Sequence, residues 1–401
     1  MRLSFSKKIL FTFIIVLATL LILEGIVRAL DFFIHREDLL KSITMAVPSE
    51  NRIFELKPNY AQRIYSDEYS TQAHTNSLGL REREVPLQKP PRTVRIIALG
   101  DSHTFGMGVE DNERWSNVLE NMLNGQQNVL GSLCTVTSCE RTARARLSNR
   151  YEVINLGSWG YTFDQQLLRL KEKGLSFHPD LVIQGVNWAH LKTIATHEWT
   201  RNQDGSLAAI HDPHAYVDSR GVLRQTEEIG WLAFLRRHSR LLDIVVSKIK
   251  TAFLYHEVVN EDLAYLYPEN YTKMESQWNK MFDILKETRD LLQRQHINYV
   301  VFLIPRDVQV SREEWNQSLY KDMNDKLLQE KFPQKVMSAF FKKENIASLD
   351  LLPIFKQRYE KDLFFPVDVH LTKKGHILAA QSIFEFIEKK YPRFLQLQVG
   401  N

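Results

Sequence analysis

Five short apolar runs constrain this chain more than any other feature. They are "VRIIALG" (94–100), "YEVINLG" (151–157), "PDLVIQGV" (179–186), "INYVVFLIP" (297–305) and "NIASLDL" (345–351). Each has strand length and is apolar almost throughout, as a strand must be when both faces of its sheet are covered. Helical patterns lie between them. Glu113 to Leu123 puts Trp115, Val118, Leu119, Met122 and Leu123 on one face, and "DQQLLRLKEKG" (164–174) ends on glycine. Further helices are expected around 230–255 and 271–295, over much of 316–343, and from about Thr372 to Lys390. Strand–helix alternation of this kind predicts an α/β fold built on a parallel sheet.

In such sheets ligands bind beyond the carboxyl ends of the strands. The first run leads directly into "LGDSHTFGMGV" (99–109), so Ser102 stands just past a strand end. Gly160 and Asn187 each come shortly after a later strand. Far downstream, "FFPVDVHLTKKGH" (364–376) places His370 two residues after Asp368 and two before Thr372, a candidate N-cap. Acyl transfer through serine needs these types: a hydroxyl, a base to take its proton, a group to orient the base, and donors for the oxyanion. Ser102 is the candidate nucleophile, His370 the base and Asp368 the orienter. The backbone N–H groups of Ser102 and Gly160 and the amide of Asn187 are candidate oxyanion donors. Asp101 reads as a turn residue that bonds neighbouring amides. His103 reads as packing or substrate contact, and His376 as packing inside the last helix.

"GDS", "INLGSWGYT", "IQGVN" and "DVHLTKKGH", in that order, resemble the SGNH (GDSL) hydrolase superfamily over residues 93–390. The resemblance implies a three-layer α/β/α sandwich with a flavodoxin-like parallel sheet. It also implies Ser102 as nucleophile, Gly160 and Asn187 as oxyanion donors, and Asp368 with His370 completing the site. Two positions depart from the family pattern. Trp188 stands where many members carry Asp, and the acid and base are spaced Asp-x-His where Asp-x-x-His is commoner, so Val367 holds the usual acid position. The shorter spacing resembles members that act on polysaccharide O-acetyl groups. The expected activity is a serine ester hydrolase working on acyl or O-acetyl esters, with acetylated glycans among its substrates and no metal or cofactor. Two rivals stand beside it: a polysaccharide O-acetyltransferase using the same residues, and an inactive glycan-binding module.

The N-terminus reads differently. Arg2, Lys7 and Lys8 precede the apolar run Ile9–Leu23, which continues through Glu24 and "GIVRAL" to Leu30. As a helix this covers roughly 33 Å, enough for a bilayer. A signal anchor with its basic flank in the cytoplasm is the favoured reading, and a cleaved signal peptide the competing one. The expected organisation is a tip and anchor over 1–30, a polar lead-in over 31–92, and a hydrolase-like domain over 93–392 with inserts near 131–150 and 195–270. That domain then lies on the periplasmic side of a single-pass protein, within reach of polysaccharide-processing partners. Cys134 and Cys139 could form a small disulfide there or remain two thiols. A net charge of +4 over 401 residues gives no reason to expect a nucleic-acid partner, and P-loop, Gly-x-Gly-x-x-Gly and zinc-ligand spacings are absent from the sequence. The run "WLAFLRRHSRLLDIVVSKIK" (231–250) reads as a packing or lid helix, and the arginines of 140–150 as a solvated loop.

Overall fold

A computed structural model describes residues 5–34, 42–125, 150–188, 190–225, 235, 239, 241–242, 244–246, 263–314 and 329–392. After helix α1 (Phe5–Ile34) come two antiparallel hairpins, β1 (Ala46–Ser49) with β2 (Ile53–Leu56) and β3 (Ala61–Tyr65) with β4 (Ser70–His74). The α/β unit then runs β5 (Thr93–Leu99), α2 (Ser102–Phe105), α3 (Trp115–Leu123), β6 (Arg150–Asn155), α4 (Phe163–Arg169), β7 (Leu181–Val186) and α5 (Leu191–Thr196). Hairpins β8 (Glu198–Arg201)/β9 (Leu207–His211) and β10 (Ala215–Val217)/β11 (Leu223–Gln225) follow. The chain continues through α6 (Glu275–Arg294), β12 (Asn298–Leu303), α7 (Asp307–Val310), α8 (Phe332–Lys343), β13 (Ala347–Asp350), α9 (Leu352–Gln357) and α10 (Lys373–Lys390).

The five apolar runs form one sheet, ordered β13-β12-β7-β5-β6, with every pairing parallel. Counting only these strands, the order is 2-1-3-4-5, the flavodoxin-like arrangement, with its topological switch between β5 and β7. Side chains alternate across the sheet. Ile97, Leu99, Val182 and Val301 pack with Leu167 of α4, Met281 and Ile284 of α6 and Phe341 of α8. Ile96, Ala98, Ile183 and Phe302 pack with Trp115 and Leu119 of α3, Phe355 of α9 and Ile383 of α10. The result is a three-layer α/β/α sandwich.

Element ends differ from expectation in small ways. The 113–123 helix begins at Trp115 after a 3₁₀ turn at Asp111–Glu113, and the 164–174 helix widens to a π turn over Leu170–Gly174. The expected 271–295 helix opens with 3₁₀ turns, and its α-helical part starts at Glu275. Cys134, Cys139, the arginines from 141 to 146, most of 231–250 and residues 316–328 lie outside the described residues. Within α1, Phe11–Leu30 is long and apolar enough to cross a membrane.

The polar stretch 31–92 proves to contain structure that short-range pattern does not reveal. Phe54, Leu56, Ile64 and Ala73 of its hairpins form a third apolar cluster with Phe105, Met107, Trp159 and Tyr161. Those last four residues belong to the segments that follow β5 and β6. Arg81 is fully buried beneath them. Its guanidinium donates to the carbonyls of Phe105 (3.2 Å), Gly106 (2.7 Å) and Val109 (2.8 Å), lies over the Phe105 ring and pairs with Asp111 at 3.0 Å. The guanidinium carries five N–H donors in a fixed fork, so it can serve three carbonyls and a carboxylate at separated points, a spread the three donors on a single ammonium nitrogen do not match. Arg81→Lys should therefore lower unfolding free energy by about 2 kcal/mol or more, as buried carbonyls lose their donors. Urea denaturation of the two proteins checks this, and equal midpoints would contradict it.

Candidate active site

Gly100 and Asp101 carry the chain from β5 into the single helical turn α2. Asp101 caps that turn, its Oδ1 accepting from the His103 backbone N–H at 2.9 Å. Ser102 is thus the first residue of the turn, where backbone N–H groups have no acceptor within the helix. The loop after β6 is drawn tightly against this turn. Leu156 N–H donates to Ala98 O at 2.8 Å and Ser158 N–H to Gly100 O at 3.3 Å. A Cβ at Gly157 would lie 2.3 Å from the Phe105 nitrogen, so only glycine fits there. Gly160, at the end of the same loop, has φ +69°, and no protein atom comes within 3.7 Å of where its Cβ would be. Its glycine is required by backbone conformation, while the requirement for close approach falls on Gly157.

Asp368 and His370 come from a tight hairpin before α10. Phe364 bridges Leu371, Phe365 N–H donates to His370 O at 2.9 Å, and Val369 N–H donates to Phe365 O at 3.0 Å. Thr372 caps α10, its Oγ1 accepting from Gly375 N–H at 3.4 Å. Asp368 lies in a turn and Val369 beside it is left-handed, φ +60°, and this local reversal lets the side chains of Asp368 and His370 meet with one residue between them. Imidazole Nδ1 contacts Asp368 Oδ1, and Nε2 lies 2.7 Å from Ser102 Oγ. With the carboxylate on Nδ1 that nitrogen carries the proton, so Nε2 is the acceptor facing the hydroxyl. Burial pushes the Asp368 carboxyl up, but the hydrogen bond and charge of His370 and the hydrogen bond from Tyr69 outweigh it and hold it below the usual carboxylate range. Ser102 is 9% exposed, and the side chains of His370 and Asp368 are each 22% exposed, so the group opens to solvent at one side.

Asn187, just beyond β7, reaches across the topological switch and donates through Nδ2 to Asp101 Oδ2. His190 Nε2 lies 3.1 Å from the same oxygen. Asp101 therefore joins the ends of β5 and β7 as well as capping α2. Burial raises its carboxyl pKa, but the His190 hydrogen bond, the charges of His103 and His190 and the His103 amide bring it down to about 2. Trp188 is fully buried in the core on the α4/α6 side.

The structure thus brings Ser102, Asp368 and His370 into contact and ties Asn187 to the residue preceding Ser102. The His103 ring packs against that of His370 at a tilt of 52°, centroids 4.9 Å apart. His376 is buried in α10, where its Nδ1 accepts from Trp115 N–H at 3.2 Å. His190, Arg81 and Tyr69 went unread in the sequence. His190 carried a weak signal, a histidine three residues after Asn187. Among the described residues no group of three or more His, Cys, Asp and Glu could hold a metal ion.

A family model described as an SGNH hydrolase-like domain, acetyltransferase AlgX, matches residues 264–400, about a third of the chain. No curated protein matches the sequence. Among solved structures, a lipolytic protein of the G-D-S-L family from Desulfitobacterium hafniense DCB-2 is 13% identical with a TM-score of 0.36, covering 73% of this chain and 99% of that one. The acetyl xylan esterase AlAXEase is 13% identical with a TM-score of 0.38, covering 73% and 98%. A lipase/acylhydrolase from Enterococcus faecalis is 14% identical with a TM-score of 0.34, covering 74% and 96%.

Two histidines whose imidazoles are pushed down by desolvation, the half-buried His103 and the fully buried His376, give a pH dependence of stability. Burial pushes the His103 imidazole down to about 3, reinforced by His370 and Arg306 against the opposing charge of Asp101. Burial likewise pushes His376 well below its ordinary value, with His103 and His370 adding to it. Below a pH of about 6.5 the unfolded chain takes up protons that the folded chain refuses. Stability therefore falls with falling pH, by at most about 1.4 kcal/mol per unit for each histidine. For His103 this continues to a pH of about 3, where the folded imidazole itself protonates. His376→Asn, which keeps an acceptor for Trp115 N–H, should flatten the fall in urea midpoint between neutral pH and pH ~5. Parallel curves for variant and wild type would contradict the assignment.

Proposed function

We propose that the chain is an SGNH/GDSL-type, serine-dependent acyl-transfer enzyme acting on acyl or O-acetyl esters, a reading supported by the family-model match over residues 264–400. The observation that carries this reading is the 2.7 Å contact of Ser102 Oγ with His370 Nε2, whose other nitrogen rests on Asp368. Ser102 Oγ attacks the ester carbonyl as its proton passes to His370 Nε2. The carbonyl π electrons move to oxygen, where Ser102 N–H, Gly160 N–H and the Asn187 amide are the donors assigned to the oxyanion. Collapse breaks the bond to the leaving alkoxide, which takes the proton from His370 and departs as alcohol. An acceptor hydroxyl then attacks the acyl-serine, again giving its proton to His370, and Ser102 is regenerated. With water as acceptor the protein is an esterase.

With a sugar hydroxyl as acceptor it is an O-acetyltransferase. The match of residues 264–400 to a family model named for an acetyltransferase favours keeping this second reading. In either case α1 is assigned as a single-pass anchor, with residues 31–92 and the domain over 93–392 on the extracytoplasmic side. The apolar span Phe11–Leu30 supports the anchor. Acetylated glycan is the proposed substrate class.

Labelling with a fluorophosphonate, followed by steady-state hydrolysis of an aryl acetate, tests the reading. Ser102→Ala should lose labelling and turnover while keeping near wild-type Tm, and His370→Ala should be nearly as inactive, since nucleophile and base act as one unit. Asp368→Asn and Asn187→Ala should each lower kcat by about 10²–10³, the latter with little change in KM. Wild-type turnover in Ser102→Ala would overturn the assignment, and glycan binding with no labelling would identify an inactive module. Acetyl transfer to an added glycan in place of acetate release would select the transferase.

A further inference from the structure

The Asp-x-His spacing leaves this site one residue short of the commoner arrangement, and the structure shows what stabilises it. The tip of the β3–β4 hairpin, Ser66–Tyr69, lies against the turn that carries Asp368. Glu68 accepts from the Val367 N–H (3.0 Å to Oε1 and 3.1 Å to Oε2) and from the Asp368 N–H at 2.7 Å. Tyr69 Oη donates to Asp368 Oδ2 at 2.6 Å. The Tyr69 ring packs on Phe365 at 5.0 Å, and a Cβ on Gly108 would strike both rings. These contacts bridge about 300 residues of sequence and act on one turn.

That turn needs support. Val369, between the acid and the base, has φ +60°, a left-handed conformation that is a genuine outlier for a β-branched residue. Val367, at the usual acid position, is 60% exposed and uses only its backbone N–H toward Glu68. Two backbone bonds to one carboxylate hold the 366–368 turn so that residue 368, not 367, faces the imidazole. The phenol then occupies the carboxylate oxygen that His370 does not use, leaving Asp368 one orientation.

Resting on the catalytic reading above, we propose that Glu68 and Tyr69 are positioning residues that make the short Asp-x-His spacing competent. They act through Asp368 on His370 and do not touch the reacting atoms. The lead-in hairpin is then part of the working site, and the α/β unit without it is incomplete.

The test uses the full-length protein in detergent micelles. Rates are normalised to fluorophosphonate-titrated sites so that a misfolded fraction does not count. Tyr69→Phe removes only the hydroxyl and should lower kcat about 10-fold, the order expected for one hydrogen bond to a charged group, with KM changed less than about twofold. Glu68→Ala should cost more, and Glu68→Gln, which keeps an acceptor oxygen, should recover part of the loss. Independently of turnover, the downfield proton resonance of the His370 Nδ1–H should be present in the wild type, absent in Asp368→Asn, shifted in Tyr69→Phe and broadened in Glu68→Ala. Wild-type kcat per titrated site in Tyr69→Phe and Glu68→Ala, or a resonance unmoved by either, would overturn the proposal. The same pattern of resonances across wild type and variants, with no turnover by the wild type, would instead remove the catalytic reading and leave the positioning intact.

Discussion

The buried carboxylate of Asp101 is the interaction on which the rest of the site depends. A 2-1-3-4-5 sheet leaves a crevice where the connections from β5 and β7 depart to opposite faces. Nothing in sheet pairing alone closes that crevice to a defined width. Asp101 does so by capping the turn that begins with Ser102 and by holding Asn187 and His190 from the far side. A carboxylate taken out of water persists only where several donors satisfy it, and here these donors come from the Ser102 turn and from the segment after β7 that carries Asn187. The same bonds that stabilise the buried charge therefore set the distance between the serine turn and the end of β7.

The parallel sheet was legible because its strands announce themselves individually. Runs such as "VRIIALG" and "LVIQGV" are apolar on both faces, and each is followed by a glycine or polar residue at its carboxyl end. That Ser102 and Asn187 come together could be read for the same reason, since each follows a strand and the topology gathers strand ends. Thr372 as a helix cap, with His370 just before it, was local chemistry as well. Such features depend on neighbours in sequence, where spacing carries information.

What escaped the sequence depends on contacts between distant segments. Nothing in "SDEYS" marks Glu68 and Tyr69 as partners of a turn about 300 residues downstream. Arg81 lies in "LREREV", which reads as a charged surface stretch, yet it is fully buried under the α2 turn. A charged residue in a polar segment is ordinarily solvated, and burial pays only when carbonyls and a carboxylate converge on it, a convergence that three-dimensional packing alone reveals. The lead-in was underread for a related reason: its strands are four or five residues long and their apolar positions are few. Their partners are the segments carrying Ser102 and Gly160, so the stretch with the weakest pattern supports the most demanding part of the molecule.

The central claim is covalent: an acyl group passes through Ser102 Oγ. Mixing the wild-type protein with an aryl acetate, quenching in acid during turnover and mapping the digest by mass spectrometry tests it directly. One acetyl group is expected on the peptide containing Ser102, gained and lost with the time course of hydrolysis. Turnover accompanied by acetylation at another residue, or by no acyl-enzyme when deacylation is made rate-limiting, would contradict it.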